Sequence, residues 1–231
     1  MPSLIPNRQA RIGRYVALSL GFCLLVVVLK AVVTWLCETY FYSLPWLGGL
    51  LSSLEIVEVT NGLLFAGLGF GLGAAAVYYL PAAWHLVPRL APLVVALPLI
   101  FGTTALTRHA MWVQRVARQA GVSRATAQKA TSAFLQQETG NAGSWGFYCY
   151  TARGEQLPTQ LSSLEPLLPE EKALLQGELG RYQDGAGALL VFVFNQIGWL
   201  LRCGYLVFTA LMGLVYFYKG QRWASQRQQK S

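Results

Sequence analysis

"TNGLLFAGLGFGLGAAAVYYL", residues 60–80, decides how the whole chain is read. A helix needs roughly 20 predominantly apolar residues to cross a hydrocarbon core about 30 Å thick, and this uncharged stretch has that length. Its glycines have a use in such a setting. Gly67 with Gly71, and Gly69 with Gly73, form small-xxx-small faces on which another helix can lie close. The run GFGLGA at 69–74 also fits the G-x-G-x-x-A dinucleotide fingerprint, but that fingerprint follows a strand, and here the surroundings are continuous apolar helix. Helix packing is the expected use, and no cofactor is expected.

The same length test finds three more spans. Residues 15–37, "YVALSLGFCLLVVVLKAVVTWLC", are interrupted by Lys30. Residues 86–106, "LVPRLAPLVVALPLIFGTTAL", carry Arg89 and three prolines, Pro88, Pro92 and Pro98. Residues 186–218, "AGALLVFVFNQIGWLLRCGYLVFTALMGLVYFY", are long enough to tilt steeply or protrude. Prolines remove backbone donors, so the span at 86–106 is expected to be kinked, or even to enter and leave on one side. The first run resembles a signal peptide, but its core is too long and "WLCETYFY" offers no small-residue cleavage site, so it reads as an uncleaved anchor. Composition agrees with a lipid setting: 54% hydrophobic, 12% charged and mean hydropathy +0.41. The expected fold class is an all-α integral membrane protein, with four transmembrane helices and a small helical extramembrane segment between the third and fourth.

A net charge of +8 would suggest nucleic acid in a soluble protein, but here the cations sit mostly beside apolar runs, as orientation signals do. Arg8, Arg11 and Arg14 lie in the N-terminal segment 1–14, and Lys219, Arg222, Arg227 and Lys230 lie in the tail 219–231. The segment 38–59 has only Glu38, Glu55 and Glu58, and "PWLGGLLSSLEIVEVT" within it could form a short interfacial helix. Both termini are therefore expected in the cytoplasm, with 60–80 as the second span and 38–59 outside. Segment 107–185 then also lies outside, despite Arg108, Arg115, Arg118, Arg124 and Lys129, because long loops are largely exempt from the charge rule. If 86–106 does not cross, the segment is cytoplasmic and the basic tail is outside.

Within 107–185, two helical stretches should flank "AGVS", the second capped by Ser123 and ending at the "TGNAG" breaker, 139–143. "SWGFYCYTA" reads as strand-like, and a third helix is expected over Pro169 to Gln183. The stretch "VARQAGVSRATAQKA", 116–130, resembles the DNA-binding helix-turn-helix families. Val116 and Ala117 fall in the first helix, Ala120 and Gly121 at the turn, and Val122, Ser123 and Thr126 at the start of the second. The resemblance implies a left-handed Gly121, close approach at Ala117, and Arg124, Gln128 and Lys129 facing a groove. It departs from the pattern at Ala127 and Ala130, where branched aliphatic residues normally seal the pair, and "TGNAGSWGFYCY" does not read as the family's third helix. With the segment outside, the expectation is two amphipathic helices on the membrane surface or a partner, and nucleic acid is not expected to bind.

Ionisable groups in hydrocarbon carry the most information, because each is costly unless paired or snorkelling. Lys30 lies about 24 Å along an ideal helix from Arg14, and Arg202 about 25 Å from Lys219. Both reach the outer third, the level of Glu38, Glu55, Glu58, Asn195 and Gln196. These seven residues form the candidate polar cluster, with Lys30 or Arg202 pairing with a glutamate; the alternative is that each cation snorkels alone. The two histidines, His85 and His109, lie at span ends, on opposite sides under four crossings, and read as solvated. Cys23, Cys37, Cys149 and Cys203 lack metal spacing, and a Cys37 to Cys149 disulfide requires both to face an oxidising compartment. No nucleophile and base, HExxH or P-loop is found, so an enzyme is not expected.

The sequence thus points to an accessory, scaffolding or assembly subunit of a larger membrane complex. Its expected partners are membrane lipids, other membrane-protein subunits or its own copies. The alternatives are a small transporter or channel with an outward polar site, and a membrane-tethered helix-turn-helix regulator.

Overall fold

The computed structural model describes residues 8–41, 56–81, 84–153, 157–160, 164 and 186–230. Its helices are α1 (Arg8–Leu36, ending in a π-helical turn, Cys37–Phe41), α2 (Ile56–Tyr79), α3 (Leu86–Ala120), α4 (Arg124–Thr139), α5 (Gly143–Thr151) and α6 (Ala186–Lys230). No strand occurs among the described residues. Four helices are long and apolar enough to cross a membrane, within Gln9–Tyr40, Val57–Tyr79, Leu86–Ala120 and Gly198–Lys230. The chain is an all-α, multi-pass integral membrane protein. Of the interfacial helix expected over 45–60, residues 45–55 fall outside the described residues while 56–60 form the start of α2, and the helix expected over 169–183 also falls outside them.

Two compact units divide the chain: Met1–Thr104 with Gly204–Ser231, and Ala105–Cys203. In the first, α1 is built inside out relative to a soluble helix. Its outward face, Val16, Leu20, Leu24, Val28 and Val32, repeats every fourth residue and is wholly apolar, with Leu24 67% exposed. Its inward face holds Tyr15, Ser19, Val26, Lys30 and Thr34, all buried. Water would reject that arrangement, whereas lipid tails solvate it.

Contacts within this unit also fix the helix directions. Lys30 meets Val57 and Thr60 while Phe22 meets Gly71, so α1 and α2 are antiparallel. Tyr15 donates to the Arg89 carbonyl at 2.7 Å, and Cys23 Sγ points to the Pro92 carbonyl at 3.9 Å, so α1 and α3 run the same way. Gly62, Gly69 and Gly73 face Phe208, Gly213 and Phe217 in turn, which makes α2 and α6 parallel. The N-terminus of α1 and the C-terminus of α6 therefore lie at the same end of the bundle.

Close packing depends on the glycines. A Cβ on Gly69 would come within 2.3 Å of the Gly213 carbonyl oxygen, and one on Gly73 within 2.0 Å of the Phe217 carbonyl oxygen. Backbone meets backbone there, which suits a bilayer, where helices gain from packing rather than from leaving water. The other face differs: a Cβ on Gly71 would lie 3.3 Å from the Phe22 ring, a tight contact, and one on Gly67 would meet nothing within 4 Å.

The re-entrant alternative for 86–106 is corrected by α3, a single helix through Pro92 and Pro98. Pro88 sits in its first turn, where no amide donor is needed. The spacing of Pro92 and Pro98 removes isolated bonds from a helix long enough to keep the rest.

In the second unit, Trp112, Val113, Val116 and Ala117 of α3 share a core with Ala127 and Leu135 of α4, Phe147 and Tyr150 of α5, and Leu164. Gly121 (φ 63°) makes the left-handed turn, and Ser123 caps α4 by accepting from the Thr126 amide at 3.2 Å. Gly140 (φ 73°) ends α4, its amide donating to the Gln136 carbonyl at 2.9 Å. The strand expected over "SWGFYCYTA" is wrong, since α5 occupies that stretch. Its aromatic content suggested a pleat, but the buried residues Gly146, Phe147 and Tyr150 follow helical spacing. A Cβ on Gly146 would lie 2.0 Å from the Asn141 carbonyl oxygen, so the close turn into α5 needs glycine there.

Candidate functional site

Lys30 is fully buried, 0% exposed, although it stands in the middle of an apolar helix. Its ammonium donates to the Val57 carbonyl at 2.5 Å and to Thr60 Oγ1 at 3.1 Å. Thr60 Oγ1 in turn donates to the same carbonyl at 2.6 Å. The carbonyl has two lone pairs, so it can serve a side chain as well as the helix ladder. Thr60 bridges the two by accepting from the lysine and donating to the backbone.

Next to Val57 stands Glu58, also buried, which accepts from Asn61 Nδ2 one turn on. Asn61 and Thr34 are fully buried as well, and Asn61 Oδ1 and Thr34 Oγ1 have no hydrogen-bond partner among the described residues. Val57, Glu58 and Asn61 are held by the first turns of α2, and Lys30 and Thr34 by the inward face of α1. Glu38 lies half-buried on the π-helical turn. Glu55 falls outside the described residues.

Arg202 is buried by different means, in the second unit. One guanidinium nitrogen donates to the Tyr148 carbonyl and the other to Thr151 Oγ1 at 2.9 Å. The guanidinium also lies 4.2 Å from the centroid of the Tyr148 ring. A Cβ on Gly198 would lie 2.1 Å from the Ala152 carbonyl oxygen, so α6 comes backbone to backbone against the end of α5. Asn195 and Gln196 fall on α6 in the same unit.

Neither cation snorkels to the surface. The hydrogen bonds described above join each to its own unit, Lys30 to α2 and Arg202 to α5. Sequence reasoning missed Thr60, Asn61, Tyr148 and Thr151. Thr60 and Asn61 could have been found, because one helical turn from Val57 carries three hydrogen-bonding side chains, Glu58, Thr60 and Asn61. Tyr148 and Thr151 were hidden by the strand reading, which obscured the carbonyls at a helix end.

His85 is exposed in the turn before α3. His109 is not solvated as expected: it is half-buried, its ring 5.6 Å from Phe147 and 6.2 Å from Trp112, and its Nε2 has no hydrogen-bond partner among the described residues. All four cysteines are free thiols. Among the described residues, no group of three or more His, Cys, Asp or Glu is placed to hold a metal ion.

Comparison with protein-family models, curated proteins and solved structures finds no match. The arrangement itself fastens helices. Lys30 ties α1 to the start of α2, and Arg202 ties α6 to the end of α5.

Proposed function

We propose that this multi-pass membrane protein is a non-catalytic accessory or assembly subunit that binds other membrane-protein subunits. The observation that carries the reading is that Lys30 and Arg202, the costliest groups in its spans, donate to acceptors of the chain itself. They act as fasteners of a scaffold. What faces outward is apolar helix surface, the exposed polar face of α4 with Arg124, Gln128 and Lys129, and an aromatic pair, Trp145 stacked on Tyr148 at 5.6 Å. Exposed tryptophan and arginine are favoured anchors of protein interfaces.

In this reading both termini are cytoplasmic. The shared end of α1 and α6 carries Arg11, Arg14, Lys219 and Arg222, and the positive-inside rule supports placing that end in the cytoplasm. The α4–α5 segment then faces the other side. Its turn has the local form of a helix-turn-helix, and α5 follows as a third helix, but on that side it would meet a protein partner rather than DNA.

Purification of the full chain in mild detergent tests the reading. A partner of fixed stoichiometry, lost on Trp145→Ala with the chain still folded, is expected. A second reading, a small transporter, draws on Asn61 Oδ1 and Thr34 Oγ1, buried polar atoms with no partner among the described residues. A chain that purifies alone and carries solute flux in liposomes, abolished by Asn61→Leu, would replace the first reading with the second.

A further inference from the structure

A groove of about 540 Å³ runs along the outside of the first unit, lined by Arg14, Ala17, Leu18, Gly21, Leu25 and, as its wall, Phe22 and Tyr79. Ala17 and Gly21 are one turn apart, and their lack of bulk opens it; a Cβ on Gly21 would meet nothing within 4 Å. The lining is apolar except at one end, where the exposed Arg14 stands. Tyr79 closes α2 at that same end, and tyrosine belongs at the level of lipid headgroups. From Arg14 to Leu25 the helix rises about 16 Å, close to half of a hydrocarbon core about 30 Å thick. The groove therefore spans one leaflet, from headgroup depth to the bilayer midplane.

We propose that this groove is a binding site for an anionic phospholipid of that leaflet, with one acyl chain along Ala17, Gly21 and Leu25 and the phosphate on Arg14. Apolar surface at this depth is covered by acyl chain, and the exposed cation at the mouth selects the headgroup. A guanidinium holds a phosphate through paired N–H donors, which a zwitterionic headgroup neutralises in part.

Native mass spectrometry of the full chain, released from detergent micelles holding equal amounts of phosphatidylglycerol and phosphatidylcholine of matched chains, tests the site. Wild type should retain phosphatidylglycerol about fivefold over phosphatidylcholine, the ratio given by one cation near the membrane surface. Arg14→Gln should bring the two close to equal. Gly21→Leu, which fits the open space and suits a helix, should remove retention of both, while Gly67→Leu, also in open space, leaves retention unchanged. Excess glycerol phosphate should not displace the lipid. Equal retention of the two lipids by wild type, retention unaffected by Gly21→Leu, or displacement by glycerol phosphate would each overturn the proposal.

Discussion

Lys30 and Arg202 set the same physical problem, a cation in an apolar helix, and the two units solve it with opposite ends of a helix. Arg202 meets α5 in its last turn, where the helix dipole is negative and the Tyr148 carbonyl accepts from the Ala152 amide as well as from the guanidinium. The Tyr148 ring adds a second favourable surface under the guanidinium. Lys30 meets α2 at its second residue, where the dipole is positive and opposes an ammonium. A second buried ionisable group, the Glu58 carboxylate, stands in the same turn.

That contrast predicts unequal mutational costs, measured as unfolding free energy in detergent. Lys30→Met should be the most damaging, costing about 3 kcal/mol, because it leaves a buried carboxylate, Glu58, in the contacted turn with the ammonium gone. Adding Glu58→Gln to Lys30→Met should recover a large part of the loss; a double variant as unstable as the single one would break the comparison. Arg202→Met should cost about 2 kcal/mol, the worth of its charge-assisted hydrogen bonds and ring contact. Arg202→Lys should recover only part, since an ammonium lacks the guanidinium fork. Thr60→Val should have the smallest effect, about 1 kcal/mol, because Lys30 keeps its carbonyl when the bridging hydroxyl goes.

Much of the architecture was legible because lipid imposes strong rules. Length and apolarity located the spans, and local chemistry located the turn at Gly121, the cap at Ser123 and the break at Gly140. Other features depend on what lies across the chain. Gly67 with Gly71 and Gly69 with Gly73 have identical spacing, so only the structure shows that Gly69 and Gly73 lie against the α6 backbone while Gly67 has open space. The α5 segment misled because aromatic residues favour strands by propensity, and its helical burial arises from partners on α3 and α4. The polar cluster was legible as a set of costly residues but not as a set of contacts. Lys30 and Arg202 share a depth in the sequence, yet nothing in the sequence says that α5 would offer its carbonyls to Arg202.

The topology proposed above has α1, α2, α3 and α6 each crossing the membrane, with the C-terminal tail in the cytoplasm and the α4–α5 segment outside. Single cysteines at the exposed positions Gln137 and Gln229, in a background without other cysteines, read this directly when intact cells are treated with a membrane-impermeant maleimide. Gln137→Cys should label at once, and Gln229→Cys only after permeabilisation. Labelling of both positions from the same side would mean that α6 does not cross, and would contradict the account.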